Sequence, residues 1–126
     1  MKTTIRSIAL LLLLAVACFG QVSMTIANGQ TTSTAVTTGP SFCTPAAIIV
    51  PAGWTGGTSL ALKASLDKST FYAMKDEYGA AKSITVSAGA WVILTPSELW
   101  SVRSVRHLQV VAGTVTREET LTVVCK

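Results

Sequence analysis

The chain has few of the side chains that carry out chemistry. Its 126 residues include one histidine, His107, three cysteines and six acidic residues. It has no nucleophile-elbow, zinc, phosphate-loop or calcium-loop motif. Asp76 adjoins Glu77 and Glu118 adjoins Glu119, but neighbouring residues on a strand point to opposite faces. We therefore expect a protein that is not an enzyme and that holds no metal and no cofactor; a hydrolase, in which two carboxylates converge only in the folded chain, is the third alternative.

Basic charge is also scarce. The formal net charge is +4, and Lys2 and Arg6 in the first six residues account for part of it. The other basic side chains are spread along the chain and are nearly balanced by acidic ones. A nucleic-acid-binding protein concentrates basic side chains on one face or along one helix, so nucleic acid is not a predicted partner.

The first twenty residues have the features of a secretory signal peptide. Lys2 and Arg6 precede an apolar run at 8–17, and small residues lie at its end and just after it, at Ala15, Ala17 and Gly20. This run is too short to cross a bilayer, which takes about 20 apolar residues. We predict a cleaved leader at 1–20 and one domain at 21–126, located in the periplasm, at the cell surface or outside the cell.

Two alternatives stay open at this end of the chain. The residues before Cys18 loosely resemble a lipobox, in which Cys18 is acylated and the protein is tethered to a membrane. Membrane association is predicted only in that case. The other alternative takes Met24 as the true start, and the leader is then an upstream extension that is not part of the protein.

Cys43 and Cys125 remain as a pair once the leader is removed. In an exported protein the simple inference is a disulfide, which would close a loop of about 80 residues. The alternative is two reduced thiols in a protein that stays in the cytosol.

The strand pattern is regular. Short apolar or alternating runs recur between turn residues, and none has the 3.6-residue period of a long helix. One short helical turn is predicted to open at Pro96 or Ser97, with Leu99 and Trp100 packing inward; for Trp100, at the end of the turn, a contact position is the alternative. This spacing favours an all-β fold, a single antiparallel β-sandwich of jelly-roll type. The predicted strands are 24–27, 33–37, 43–50, 59–65, 70–75, 82–87, 90–95, 105–112 and 119–125.

Aromatic residues are the candidate contact residues, because exposed rings anchor interfaces and stack on sugars. We select Trp54, Tyr72, Tyr78 and Trp100. Trp54 lies among proline and glycine residues in a predicted loop, where it either fills space inside the domain or contacts a ligand. Trp91 lies in an apolar run and is predicted to be a core residue.

The order of several segments over residues 24–125 is similar to that of a known group. These segments are Val50-Pro51-Ala52-Gly53-Trp54-Thr55, Leu60-Ala61-Leu62-Lys63-Ala64-Ser65, Thr70-Phe71-Tyr72, Leu94-Thr95-Pro96-Ser97-Glu98-Leu99-Trp100 and Thr120-Leu121-Thr122-Val123. They resemble short structural proteins of tailed phages and prophages. The resemblance implies a galactose-binding-like jelly roll, a shape used for sugar binding and for attachment to virion surfaces, and it implies no catalytic residues.

Two functions follow from these features. The first is a non-catalytic structural or binding module, exported and phage-like, that contacts a protein partner, its own copies or a glycan. The alternative is a virion accessory protein that starts at Met24 and decorates a capsid or joins tail parts. The leader and the paired cysteines favour the first function, since virion proteins assemble inside the cell. The likeness that begins at Met24 favours the second.

Overall fold

The computed structural model describes residues 20–39 and 42–126. The predicted leader, apart from Gly20, and the possible lipid site at Cys18 lie outside the described residues. The elements are β1 (Gln21–Ile26), β2 (Val36–Thr37), β3 (Pro45–Ile49), β4 (Ser59–Ser65), β5 (Tyr72–Ala73), β6 (Ser83–Thr85), β7 (Trp91–Ile93), α1 (Pro96–Arg103), β8 (His107–Val111) and β9 (Glu119–Cys125).

The strands form two antiparallel sheets. The first sheet has the order β1-β9-β3-β7, and the second has the order β2-β8-β4-β5, with β6 pairing β4 beside β5. The described chain is thus an all-β sandwich with one short helix, as the turn spacing predicts. None of its helices is long and apolar enough to cross a membrane.

Alternation along the strands places the core between the sheets. Leu60 and Leu62 of β4 point inward, as do Leu121 and Val123 of β9, and all four are buried. Thr120, one residue before Leu121, is exposed. Because successive side chains on a strand point to opposite faces, this pattern fixes which face of each sheet packs against the other. Burial of these faces is the main source of stability.

Helix α1 begins with a capping box. The Thr95 hydroxyl accepts a hydrogen bond from the Glu98 N–H at 3.3 Å, and the Glu98 carboxylate accepts one from the Thr95 N–H at 2.8 Å. The inward packing predicted for Trp100 is wrong, because Trp100 is exposed and Leu99 is only half-buried. The turn of the helix instead directs its neighbours Ser101 and Val102 into the core.

The core position predicted for Trp91 is also wrong. Trp91 and Ile93 are exposed on the outer face of the first sheet, and Val92 between them faces the core. The uninterrupted apolar run indicated a strand buried on both faces. β7 lies at the edge of its sheet instead, where no element among the described residues covers the outer face.

A disulfide joins Cys43 to Cys125, as predicted, with their Cα atoms 5.0 Å apart. Cys43 precedes β3, and Cys125 ends β9, so the disulfide lies at one end of the sandwich, here called the disulfide end. Hydrogen bonds bring the rest of this end together. Arg103 Nε donates to the Pro45 carbonyl at 3.1 Å, and the Thr38 N–H donates to the Arg106 carbonyl at 2.8 Å.

Candidate functional site

The four predicted contact residues do not form one site. Trp54 is buried in the loop between β3 and β4, at the end opposite the disulfide. Tyr78 is exposed at the tip of the hairpin that joins β5 to β6. Tyr72 and Trp100 are 71 % and 74 % exposed, and both lie at the disulfide end. The structure therefore brings together two of the four.

Trp54 is a structural residue. Only 9 % of it is exposed, and its indole N–H donates to the Gly57 carbonyl at 2.7 Å. A Cβ atom built on Gly56 would lie 2.3 Å from the indole ring, so Gly56 allows the loop to close over it. A ring that binds a partner must present an accessible face. Trp54 is therefore not a contact residue, and its side chain instead fills space inside the loop between β3 and β4.

Two clefts adjoin at the disulfide end. The first, called the Tyr72 cleft, has a volume of about 440 Å³ and lies between the loop after β4 and the residues that follow α1. The second, of about 450 Å³, lies along the exposed side of α1 beside Trp100 and Arg103. Ser104 lines both clefts, so they form one continuous surface. We call this the aromatic surface, and its side chains include Leu66, Asp67, Tyr72, Trp100, Arg103 and Ser104.

The wall of the Tyr72 cleft is built around Asp67. One carboxylate oxygen, Oδ1, accepts hydrogen bonds from the N–H groups of Ser69 and Thr70, each at 2.9 Å, and from the Ser65 hydroxyl at 2.8 Å. Ser65 Oγ in turn accepts from the N–H groups of Asp67 and Lys68. Lys68 has a φ of 63°, the left-handed conformation that this tight turn needs. The loop is therefore held in one shape although it is exposed.

These hydrogen bonds also set the ionisation of Asp67. The Thr70 N–H, then the Ser69 N–H and the Ser65 hydroxyl, favour the carboxylate and lower the pKa of Asp67 to about 2. Because the folded-state pKa lies below the unfolded value, the contribution of the carboxylate to stability is present above the unfolded pKa. That contribution is lost as the pH falls through about 2.

We expect the loop after β4 to keep its shape well below the pH at which an ordinary aspartate is protonated. Backbone amide chemical shifts of Ser69 and Thr70, followed by NMR during acid titration, should move with a midpoint near 2. In Asp67→Asn, whose side chain does not titrate, the same shifts should stay flat. A wild-type midpoint near the ordinary value of 3.8 would contradict the hydrogen-bonded loop.

Positive charge collects at the disulfide end. The exposed basic side chains there are Lys68, Arg103, Arg106 and Lys126, and the acidic side chains in the same region are Asp67 and Glu98. The rest of the described chain has equal numbers of basic and acidic side chains. The aromatic surface is therefore suited to a ligand that is neutral or acidic.

Two buried side chains of types used in catalysis or metal binding, Glu119 and His107, are hydrogen-bonded to neighbouring side chains. Glu119 is buried at the opposite end, and its Oε1 accepts from Arg117 Nε at 3.0 Å and from the Thr55 hydroxyl at 3.3 Å. His107 is buried with its Nδ1 3.1 Å from the hydroxyl of Thr37. No group of three or more His, Cys, Asp or Glu residues is placed to hold a metal ion within 20–39 and 42–126.

Leu66 and Asp67 are members of the aromatic surface that sequence reasoning missed. The segment Asp67-Lys68-Ser69 lies between the predicted strands 59–65 and 70–75, a position that indicates only a turn. Ser65, two residues before the aspartate, was the available signal, because serine and aspartate side chains commonly bond the backbone within such turns. Comparisons with protein-family models, with curated proteins and with solved structures found no match to this chain.

Proposed function

We propose that the protein is an exported, disulfide-stabilised, non-catalytic binding module that acts through the aromatic surface. The observation that carries the proposal is the exposure of large apolar side chains at one end of the domain. Leu66, Tyr72 and Trp100 line the two adjoining clefts, and Phe42 is exposed beside Cys43. Exposed apolar side chains gathered in one region, with polar groups among them, are typical of a contact surface.

A glycan is the ligand that the Tyr72 cleft fits best. Tyr72 offers an exposed ring, and the polar residues Thr70, Ser104 and Asp67 line the same cleft. A sugar ring combines an apolar face with several hydroxyls, so it needs an aromatic ring beside hydrogen-bonding groups. A protein partner is the second ligand class, for which Trp100 and Arg103 would be the anchor residues.

The structure of β1 bears on the alternative function, a virion accessory protein that starts at Met24. Met24 is fully buried in the middle of β1, where it pairs with Leu121. Residues 21–23 pair with β9 before it, and the Gly20 carbonyl accepts a hydrogen bond from the Cys125 N–H at 2.7 Å. A chain that began at Met24 would lack these contacts with β9, which supports a domain that begins near residue 20.

Binding is tested with substitutions of exposed rings. We expect Tyr72→Ala and Trp100→Ala each to weaken retention on the insoluble polysaccharides that hold the wild type by about tenfold or more, as for interface anchors. Both side chains are exposed, so the melting temperature should hardly change. Tyr78→Ala is the matched control, since Tyr78 is also an exposed tyrosine but lies on the β5–β6 hairpin.

The outcomes separate the two ligand classes. Retention by the wild type that Tyr72→Ala abolishes, with Tyr78→Ala unchanged, supports glycan binding. No retention on any polysaccharide, together with a purified protein partner whose affinity falls with Trp100→Ala, supports a protein ligand. A ligand whose affinity is unaffected by both Tyr72→Ala and Trp100→Ala contradicts the aromatic surface as the site.

A further inference from the structure

Strand β7 has a free edge. It pairs with β3 on one side and has no strand on its other side in the described part of the chain. The Val50 N–H bonds to the Ala90 carbonyl, and the Leu94 N–H bonds to the Ala46 carbonyl. Antiparallel pairing alternates, so Val92 also directs its N–H and C=O groups toward β3. The backbone groups of Trp91 and Ile93 therefore point away from the sheet, at the free edge.

The side chains at this edge lack the usual protection against strand pairing. Sheet edges in natural proteins commonly carry charged side chains or proline, which discourage another strand from docking. Residues 83–97 contain no charged side chain, and the proline in this segment, Pro96, lies beyond β7 in α1. Trp91 and Ile93 are 60 % and 77 % exposed on the outer face. The edge thus combines unpaired backbone groups with two exposed apolar side chains.

We propose that β7 pairs with β7 of a second copy of this chain, in antiparallel orientation, about a two-fold axis that passes by Val92. In this register Trp91 lies opposite Ile93 of the second copy, and Ile93 lies opposite its Trp91. Both residues have outward-pointing backbone groups, so each such pair exchanges two N–H···O hydrogen bonds. The tryptophan and isoleucine side chains meet across the strands on the outer face.

A second copy of this chain fits the free edge of β7 because this edge is complementary to itself. A two-fold axis brings identical groups together, and an uncharged segment avoids the like-charge repulsion that this would otherwise cause. The same register places Leu94 opposite Ala90 and Thr95 opposite Gly89 of the other copy. Ala90 and Gly89 are small residues, so they leave room for the start of α1 of the facing copy. A cleft of about 450 Å³ between β6 and β7 lies beside the free edge, and the charged residues in its lining, Lys82 and Glu98, are of opposite sign.

The dimer also affects how strongly the protein is retained on a ligand, although the dimer proposal does not rest on the proposed ligand. Pairing of the two β7 strands joins the first sheets of both copies into one continuous sheet. The Tyr72 cleft is lined by residues of β4, the loop after it, β5 and 104–105, none of which belongs to β7. Two linked sites raise the retention of the dimer on a repetitive ligand above that of one site.

Sedimentation velocity of the purified protein over a range of concentrations tests the dimer. We expect a reversible monomer–dimer equilibrium for the wild type. Ile93→Pro should shift it to monomer by about tenfold or more, because proline removes an edge N–H that β3 does not use. Thr120→Lys is the control, since it adds a charge to an exposed position on β9, two strands from β7, and should leave the dimer intact.

A charge pair tests the register. Trp91→Glu and Ile93→Lys should each weaken the dimer, and the double variant should restore it, because Glu and Lys then face each other across the axis. Circular dichroism of each variant reports whether the monomer still folds. A wild type that stays monomeric, a dimer that Ile93→Pro leaves unchanged, or a double variant no better than either folded single variant would overturn the proposal. A monomer that binds polysaccharide through Trp91 would assign the edge to a glycan instead.

Discussion

Cys125→Ser is expected to lower the free energy of unfolding by about 4 to 5 kcal/mol. The disulfide joins residues 82 positions apart, and cross-linking so long a loop greatly reduces the conformational entropy of the unfolded chain. A domain of this size is commonly stable by only about 5 to 15 kcal/mol, so the variant should be close to unfolding at body temperature. Urea unfolding followed by tryptophan fluorescence measures the change.

The controls separate the covalent bond from the side chains. Cys43→Ser should cost about as much as Cys125→Ser, and the double variant should cost little more than either, because one bond is lost in each case. Reductant should destabilise the wild type to the level of these variants and leave the double variant unchanged. If the single variants lose less than about 1 kcal/mol, the native protein has no disulfide.

Trp54→Ala is expected to cost about 3 to 5 kcal/mol, because it removes a large buried ring and leaves a cavity in the loop between β3 and β4. The indole also loses its hydrogen bond to the Gly57 carbonyl. Trp54→Phe should cost less, since it keeps an aromatic ring in the space. Thermal unfolding of the three proteins, monitored by near-ultraviolet circular dichroism, gives the comparison.

Trp100→Ala is the matched control for Trp54→Ala. The same side chain is removed, but Trp100 is 74 % exposed, so stability should change by no more than about 0.5 kcal/mol. The two variants should therefore have opposite effects on stability and on ligand affinity. Trp54→Ala lowers stability and spares ligand affinity in the protein that remains folded, whereas Trp100→Ala spares stability and lowers affinity. Equal losses of stability would contradict the burial assigned to the two rings.

Much of the strand pattern was predictable because it depends on local signals. The predicted bounds of β4 and β9 agree with the structure, since Leu60 and Leu62 in β4 and Leu121 and Val123 in β9 alternate with less buried residues. The other observed strands each overlap a predicted one but differ in length. β5 keeps only Tyr72 and Ala73 of the predicted 70–75, because it pairs with two residues at the end of β4.

Burial of single residues was less predictable, since it depends on which elements cover them. Trp91 and Trp54 are both aromatic residues near apolar segments, yet one lies exposed on an edge strand and the other is covered by its own loop. Composition does not distinguish an edge strand from a central one. The position of β7 in the sheet follows from its pairing with β3, which is more than forty residues earlier in the chain.

The aromatic surface was only partly predictable for a similar reason. Tyr72 and Trp100 were selected because they are aromatic, but nothing in the sequence places them near each other. They lie at the same end of the sandwich because β4 ends there beside the residues that follow α1, and Ser104 lines both clefts. The Asp67 turn depends on hydrogen bonds between its own residues, and this local part of the site is the one that a sequence pattern could reveal.

The intact mass of the natively produced protein, measured with and without reductant, tests the central claim of an exported, disulfide-stabilised binding module. We expect a chain that begins near Gln21, or at an acylated Cys18, and that gains about 2 Da on reduction as the disulfide between Cys43 and Cys125 opens. A chain that begins at Met24 and carries free thiols would contradict the account and would favour the virion accessory protein.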